Sequence, residues 1–191
     1  MLRITDNGNS EYVIIIRKNH SASEKTAAEE LAVYLKKITD AEIPVKTDDE
    51  KKTDHEIVIG FTNRGGKGKK ELGEEGFTIK TEGKRLFILG SEVRGALYGV
   101  YSFLEKCCGC RFYTDTCERV PKVNMLTVPE IDCTELPGFE YRNVYWFAQG
   151  GEMISAKLKN NGGMGHELTE RVGGGINYIG SFCHTFPDLG E

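Results

Sequence analysis

No stretch of the 191 residues approaches 18 consecutive apolar positions, so no segment reads as a membrane-spanning helix. The first residues, MLRITDNGNSEY, lack the apolar core that a secretion signal needs. The expected location is the cytoplasm if Met1 is the native start, or outside the cell if a signal has been removed. Positive charge is not in excess: 25 Lys and Arg stand against 29 Asp and Glu, a net charge of −4 with histidine neutral. That balance gives no reason to expect a nucleic-acid partner. The one basic run, Arg64-Gly-Gly-Lys-Gly-Lys-Lys70, lacks the G-x-x-x-x-G-K-[ST] order of a phosphate loop and reads as a solvated loop. Six cysteines are too sparse for a disulfide scaffold. Gly180-Ser-Phe-Cys-His184 does not have the G-x-S-x-G order of a nucleophile elbow.

What is present is ordinary for a globular chain: 39% hydrophobic and 28% charged residues. Tyr12 to Ile16 is a β-branched apolar run suited to a strand buried on both faces. Ser21-Ala-Ser-Glu24 has the capping-box pattern, so a helix should follow to about Thr39, with Ala27, Ala28, Leu31, Leu35 and Ile38 on its buried face. Pro44 forces extended backbone before it, and Ile43 to Thr47 reads as a second strand. Glu56 to Phe61 is a third. Phe77–Thr81 and Arg85–Leu89 flank Glu82-Gly-Lys84 as a hairpin. A second helix is expected from the N-cap Ser91, burying Val93, Ala96, Leu97, Val100, Leu104 and Cys107. Gly95 and Gly99 share one face of it, which points to close approach to a sheet. Gly109 suits the left-handed residue after that helix, and Cys110 to Tyr113 a short strand.

The order of elements implies an α/β sandwich: one mixed β-sheet with two main helices on one face. Residues 1–120 form this domain. Val120-Pro, Val128-Pro and Leu136-Pro punctuate an extended crossing over 121–137. Glu140 to Phe147 then reads as a new strand. The glycine-rich stretch to Glu191 looks like the opening of a larger domain, too short to bury a core alone.

Ala27-Ala-Glu-Glu-Leu31, Tyr34-Leu-Lys-Lys-Ile-Thr39, Ile57-Val-Ile-Gly60, Gly76-Phe-Thr-Ile79, Arg94 to Glu105, Gly109-Cys-Arg-Phe-Tyr113 and Val120-Pro121 occur in this order. The set resembles the small N-terminal domain that accompanies α-glucuronidases and β-N-acetylhexosaminidases. It is most similar to bacterial proteins built around the domain of unknown function 4838, in which that domain precedes a (β/α)8 barrel. The resemblance covers roughly residues 4–147. It implies a non-catalytic first domain, a barrel start over 138–191, and a downstream barrel of the same polypeptide as partner, with a carbohydrate as substrate of the whole. Arg142 matches the position of an arginine that contacts substrate hydroxyls in the hexosaminidase branch, although Asn143 replaces the usual glycine after it. His184 matches a histidine of the second β/α segment of the bacterial group.

Glycoside hydrolysis usually needs two carboxyl groups flanking the scissile bond, placed in such enzymes at the ends of barrel strands. The acids here fall mostly on helix faces and turns, with Asp188 and Glu191 at the very end. No catalytic residue is therefore expected in this chain, and no cofactor. Three residues are candidates for substrate binding. Arg142 is either a fork of donors for sugar hydroxyls or an ion-pair partner between domains. Trp146 is either a stacking platform or packing at a barrel rim. His184, like His166, is either a substrate contact or a surface histidine. Tyr98 and Tyr101, three apart, could form an interface patch, but helix packing suits them better.

The cysteines remain. Cys107, Cys110, Cys117 and Cys133 have the spacing C-x2-C-x6-C-x15-C, which zinc could use. A disulfide or redox pair is the other chemical alternative. Cys107 and Cys110, however, fall where a helix turns into a strand and small apolar-tolerant residues are wanted. Structural thiols are the favoured assignment, with no metal site.

Overall fold

The capping box at Ser21 forms as its spacing predicts. The Ser21 hydroxyl accepts from the Glu24 amide, and the Glu24 carboxylate accepts from the Ser21 amide. In the computed structural model, which describes residues 1–65, 70–163 and 166–176, this cap opens helix α1, Ala22–Thr39. Its buried stripe is the expected one, with Tyr34 added. Asp40 ends it in a left-handed conformation (φ 60°), its amide donating to the Lys36 carbonyl.

Helix α2 spans Gly95–Cys107, its cap position at Arg94 lying three residues later than Ser91 suggests. The reason is a competing acceptor. The backbone carbonyl of Glu74 takes the amides of Arg94 and Gly95 at 3.1 and 2.9 Å, and also the Ser91 hydroxyl. Residues 91–94 are held as a turn, and Val93 stays outside the helix. The paired glycines do bring α2 onto the sheet. A Cβ at Gly95 would lie 2.5 Å from the Gly76 carbonyl oxygen, and one at Gly99 would lie 2.7 Å from Ile88. The helix propensity lost at each, about 1 kcal/mol relative to alanine, is offset by that contact.

The main sheet has six strands: β2 (Val13–Ile16), β3 (Val45–Thr47), β4 (Glu56–Ile59), β5 (Phe77–Glu82), β6 (Arg85–Gly90) and β10 (Asp132–Glu135). Their spatial order is β10-β5-β6-β4-β2-β3. β3, β2, β4 and β6 run parallel, while β5 and β10 are antiparallel to their neighbours. Parallel pairing demands crossovers, and α1 and α2 accordingly lie between strands in the chain. Both helices cover one face, packing on Ile14, Ile16, Ile57, Ile59, Phe77, Ile79, Leu86 and Ile88. The opposite face holds a smaller cluster of Val58, Phe87 and Leu89. The fold is the mixed α/β sandwich that the pattern implied.

Two strands lie in the stretch with the Val-Pro and Leu-Pro pairs, and both turn back. β9 (Met125–Val128) pairs with β1 (Leu2–Asp6), and β10 joins the edge strand β5. A further pair, β7 (Arg111–Phe112) and β8 (Glu118–Arg119), follows Gly109, which sits at φ 74° as its position after the helix required.

The strand expected over Glu140 to Phe147 does not form. Residues 140–146 belong to no ladder, and Phe147–Gln149 is a single 3-10 turn. A strand needs a partner, and here Asn161 stands in for one. Its side-chain oxygen accepts from the Arg142 amide, and its own amide and that of Gly162 donate to the Arg142 carbonyl. A short helix, α3 (Glu152–Lys157), and a 3-10 turn, Glu170–Val172, come next. Ile154, Ala156, Leu168 and Val172 join the main core, so α3 and the Glu170–Val172 turn lie against the outer side of the helix layer. A barrel start is not shown.

Candidate functional site

Residues 138–176 meet the sandwich at Glu75, which is 8% exposed. Glu75 lies between the 3-10 turn Lys70–Leu72 and β5, next to Gly76, whose amide is fixed by the Leu72 carbonyl. Its two oxygens receive three donors. Arg94 Nε lies 2.8 Å from Oε1, Asn161 Nδ2 lies 2.7 Å from Oε1, and Arg142 Nη2 lies 2.7 Å from Oε2. Arg94, itself nearly buried just before α2, also donates to Glu74 at 2.8 Å and to the Gly173 carbonyl at 3.0 Å. The two guanidinium groups are thus matched by two carboxylates, Glu75 and Glu74, and their remaining N–H groups are taken by carbonyl oxygens.

Arg142 is spent within the chain. Its Nε donates to the Lys159 carbonyl at 2.8 Å and its Nη1 to the Phe139 carbonyl at 2.5 Å, while Nη2 holds Glu75. The alternative of an ion pair joining two parts of the chain therefore describes its surroundings in this structure. Asn161, fully buried, saturates its side chain: it donates to Glu75 and to the Glu140 carbonyl at 2.7 Å each and accepts from Arg142 at 2.8 Å. Tyr98 lies under the same seam, its hydroxyl donating to the Asn160 carbonyl at 2.9 Å. Burial, then the nearby Glu75, push its phenol up. A cavity of about 250 Å³ opens here, lined by Glu75, Tyr98, Glu135, Arg142 and Lys159 among others.

A second tie lies 43 residues along from Glu75, at Glu118 on β8. It accepts from Tyr34 of α1, from Lys37 at 2.9 Å and from Lys157 of α3 at 3.2 Å. Lys157 also sits 5.3 Å above the Tyr34 ring and 5.2 Å above that of Phe112. Burial would raise the Glu118 carboxyl, but these donors and charges outweigh it and hold it down at about 2.

Trp146 is not in either network. Its residue is 56% exposed, and it stands between Tyr145 and Phe147, with Phe139 nearby in the chain at 77% exposed. This strip joins the β7–β8 turn, because the Asp115 amide donates to the Ala148 carbonyl and Gln149 to the Tyr113 carbonyl. His166 pairs with Ser155 at 3.1 Å, and its Nδ1 is buried without a hydrogen-bond partner. His184 lies outside the described residues. Tyr101 is buried, its hydroxyl on Glu30 at 2.8 Å, so both helix tyrosines serve packing. Glu75, Arg94 and Asn161 escaped sequence reasoning. Glu75 and Asn161 sit in no periodic apolar pattern, and Arg94 was visible only as part of a helix start.

Chemically the seam positions and neutralises. Glu75 has its oxygens occupied, and among the described residues no group of three His, Cys, Asp or Glu could hold a metal ion.

The described residues form a mixed α/β sandwich with a charged seam at its edge. The family comparison agrees: residues 4–103, just over half of the chain, match the model for the glycosyl hydrolase family 67 N-terminus, and the chain belongs to that family. No curated protein shows significant sequence similarity to it. Among solved structures, the chain is similar to a family 115 4-O-methyl-α-glucuronidase with specificity for decorated arabinogalactans, at TM-score 0.52 and 14% identity over 74% of this chain and 19% of that one. A Streptomyces plicatus β-hexosaminidase and a family 20 β-N-acetylhexosaminidase from Streptomyces coelicolor A3(2) each give TM-score 0.46, at 16% and 17% identity, over 74% of this chain and 24% of theirs. The chain thus spans a quarter or less of the length of the solved structures it matches.

Proposed function

We propose that this chain is the non-catalytic N-terminal part of a glycoside hydrolase of the domain-4838 type, and that it supports a downstream (β/α)8 domain that cleaves the glycosidic bond. In this assignment the accessory domain is residues 1–120 together with β9 and β10 of the 121–137 stretch, which pair back into its sheets, and 138–191 are the entry to the barrel. The observation that carries it is the family match together with the seam. Arg142 and Asn161 dock the stretch that follows residue 138 through the buried Glu75, yet that stretch presents Phe139, Trp146 and Phe147 to solvent. Aromatic side chains exposed in a row mark a surface that expects a partner. The partner assigned is the barrel of the same polypeptide, and Trp146 is the residue of the strip best suited to reach a bound sugar. Arg142 serves this site by fixing the strip's entry.

The test is an assay of the 191-residue chain on chromogenic glycosides, beside the same chain extended by whatever its reading frame encodes next. The expected result is no turnover by the first and hydrolysis by the second. Turnover by the short chain, lost on replacing an acid within it, would overturn the proposal.

A further inference from the structure

The C-x-x-C of Cys107 and Cys110 does not act as a unit in the fold. Cys108 closes α2, Gly109 reverses the chain at φ 74°, and Cys110 is carried to the inner side of the turn. There it is fully buried, and the charges that bear on it are those of Glu118, Glu105, Arg111 and Lys37. Cys107, the last residue of α2, is only partly buried. Its neighbours are Lys106 and Cys133.

Topology explains this meeting. Cys133 and Glu135 lie two apart on β10, so they share a face, and they stand opposite Ile79 and Phe77 of β5. Those two residues belong to the core face over which α2 runs. The last turn of α2 therefore ends above the edge strand, and an ion pair between Lys106 and Glu135 fastens it there. The Cys133 sulfur lies 3.9 Å from the same Glu135 oxygen that Lys106 holds. Cys107 and Cys133 are both partly exposed, whereas Cys108 and Cys110 are buried. Cys117, exposed, lies on the turn between β7 and β8.

We propose that Cys107 and Cys133 form a thiol pair that closes to a disulfide, stapling the end of α2 to the edge strand β10. The oxidant is a low-molecular-weight disulfide. The Cys133 thiolate attacks one sulfur of it, forming a mixed disulfide and releasing one thiol. The Cys107 thiolate then attacks the Cys133 sulfur and displaces the second thiol. Two protein thiols lose two electrons and two protons, and one disulfide molecule becomes two thiols. Cys107 is assigned the resolving role because burial pushes its thiol up, against the pull of Lys106. The product would lock the chain at the point where it leaves the sheet for the seam.

The experiment uses the folded chain carrying Cys117→Ser and Cys183→Ser, so that neither the exposed Cys117 nor the cysteine outside the described residues can hold glutathione, with glutathione disulfide as oxidant and native thiol titration and intact mass as readouts. The expected result is loss of two thiols and of two hydrogens in mass, without retained glutathione. Adding Cys107→Ser or Cys133→Ser should in each case prevent closure and leave one retained glutathione. Adding Cys108→Ser or Cys110→Ser should leave closure as it is in that parent. Closure should also raise the melting midpoint by several degrees, because a cross-link over a loop of this length restricts the unfolded chain. Closure that survives Cys107→Ser or Cys133→Ser, or a parent that yields only glutathione adducts, would overturn the pair. Should Cys107→Ser fail to fold, Cys133→Ser on the edge strand decides by itself.

Discussion

Leu97 of α2 and Asn161 of the seam are equally buried, each at 0% exposure, and they are held by unlike means. Leu97 is one of a continuous apolar core shared by two helices and a sheet, where each side chain contributes about 1.5–3 kcal/mol by leaving water. Asn161 is held by bonds to Glu75, Glu140 and Arg142, each directional and each lost whole if its partner goes. The sandwich tolerates adjustment because dispersion and burial are spread over many contacts. The seam should fail at single points.

That contrast can be broken in order of effect. Glu75→Ala removes the acceptor of two guanidinium groups and one amide, and a buried pair so broken costs about 3–5 kcal/mol. Hydrogen exchange should show residues 140–162 opening while β4 and β6 stay protected; uniform loss of protection across both regions would erase the distinction. Leu97→Ala should cost about 2–5 kcal/mol, read as a lower denaturant midpoint with unchanged slope, and should affect both regions together. Asn161→Ala strands the Arg142 amide and costs about 1–3 kcal/mol, confined to the seam in the same exchange experiment. Acid gives a gentler probe of the second tie. Glu118 is held at about 2, below the ordinary 4.5, so its contribution is complete above 4.5 and is lost as pH falls toward 2. The parent should therefore lose more stability over that range than Glu118→Gln; equal losses would remove Glu118 from the account. Ser21→Ala, the smallest change, should cost about 1 kcal/mol, visible as fraying at the start of α1 alone.

The sandwich was legible because its order is written in periods and caps. Ser21 with Glu24 marked α1, Gly83 marked the hairpin, and Gly95 with Gly99 announced the contact that α2 makes. β1, β9 and β10 were not legible. They are short, and β1 pairs with β9 from the opposite end of the domain, so no local signal separates them from coil. Glu140 to Phe147 misled for the converse reason: its pattern favours a strand, but Asn161 supplies the hydrogen bonds that a neighbouring strand would have made. Arg142 was found by resemblance, with its pairing to a carboxylate as one of two alternatives. Glu75, the carboxylate itself, is one of many acids in the sequence, and only packing distinguishes it. The cysteine spacing pointed to a local pair, whereas topology brings Cys107 toward a thiol on another element.

The late arrival of β9 and β10 has a consequence during synthesis. Until about residue 128 has emerged from the ribosome β1 has no partner, and until about residue 135 β5 is a bare edge. An uncovered edge strand invites pairing with other chains. The nascent domain thus spends its most exposed interval just before its last fifteen residues arrive. A recombinant fragment cut at residue 120 would be fixed in that interval permanently, while one carried past Glu135 would leave it behind.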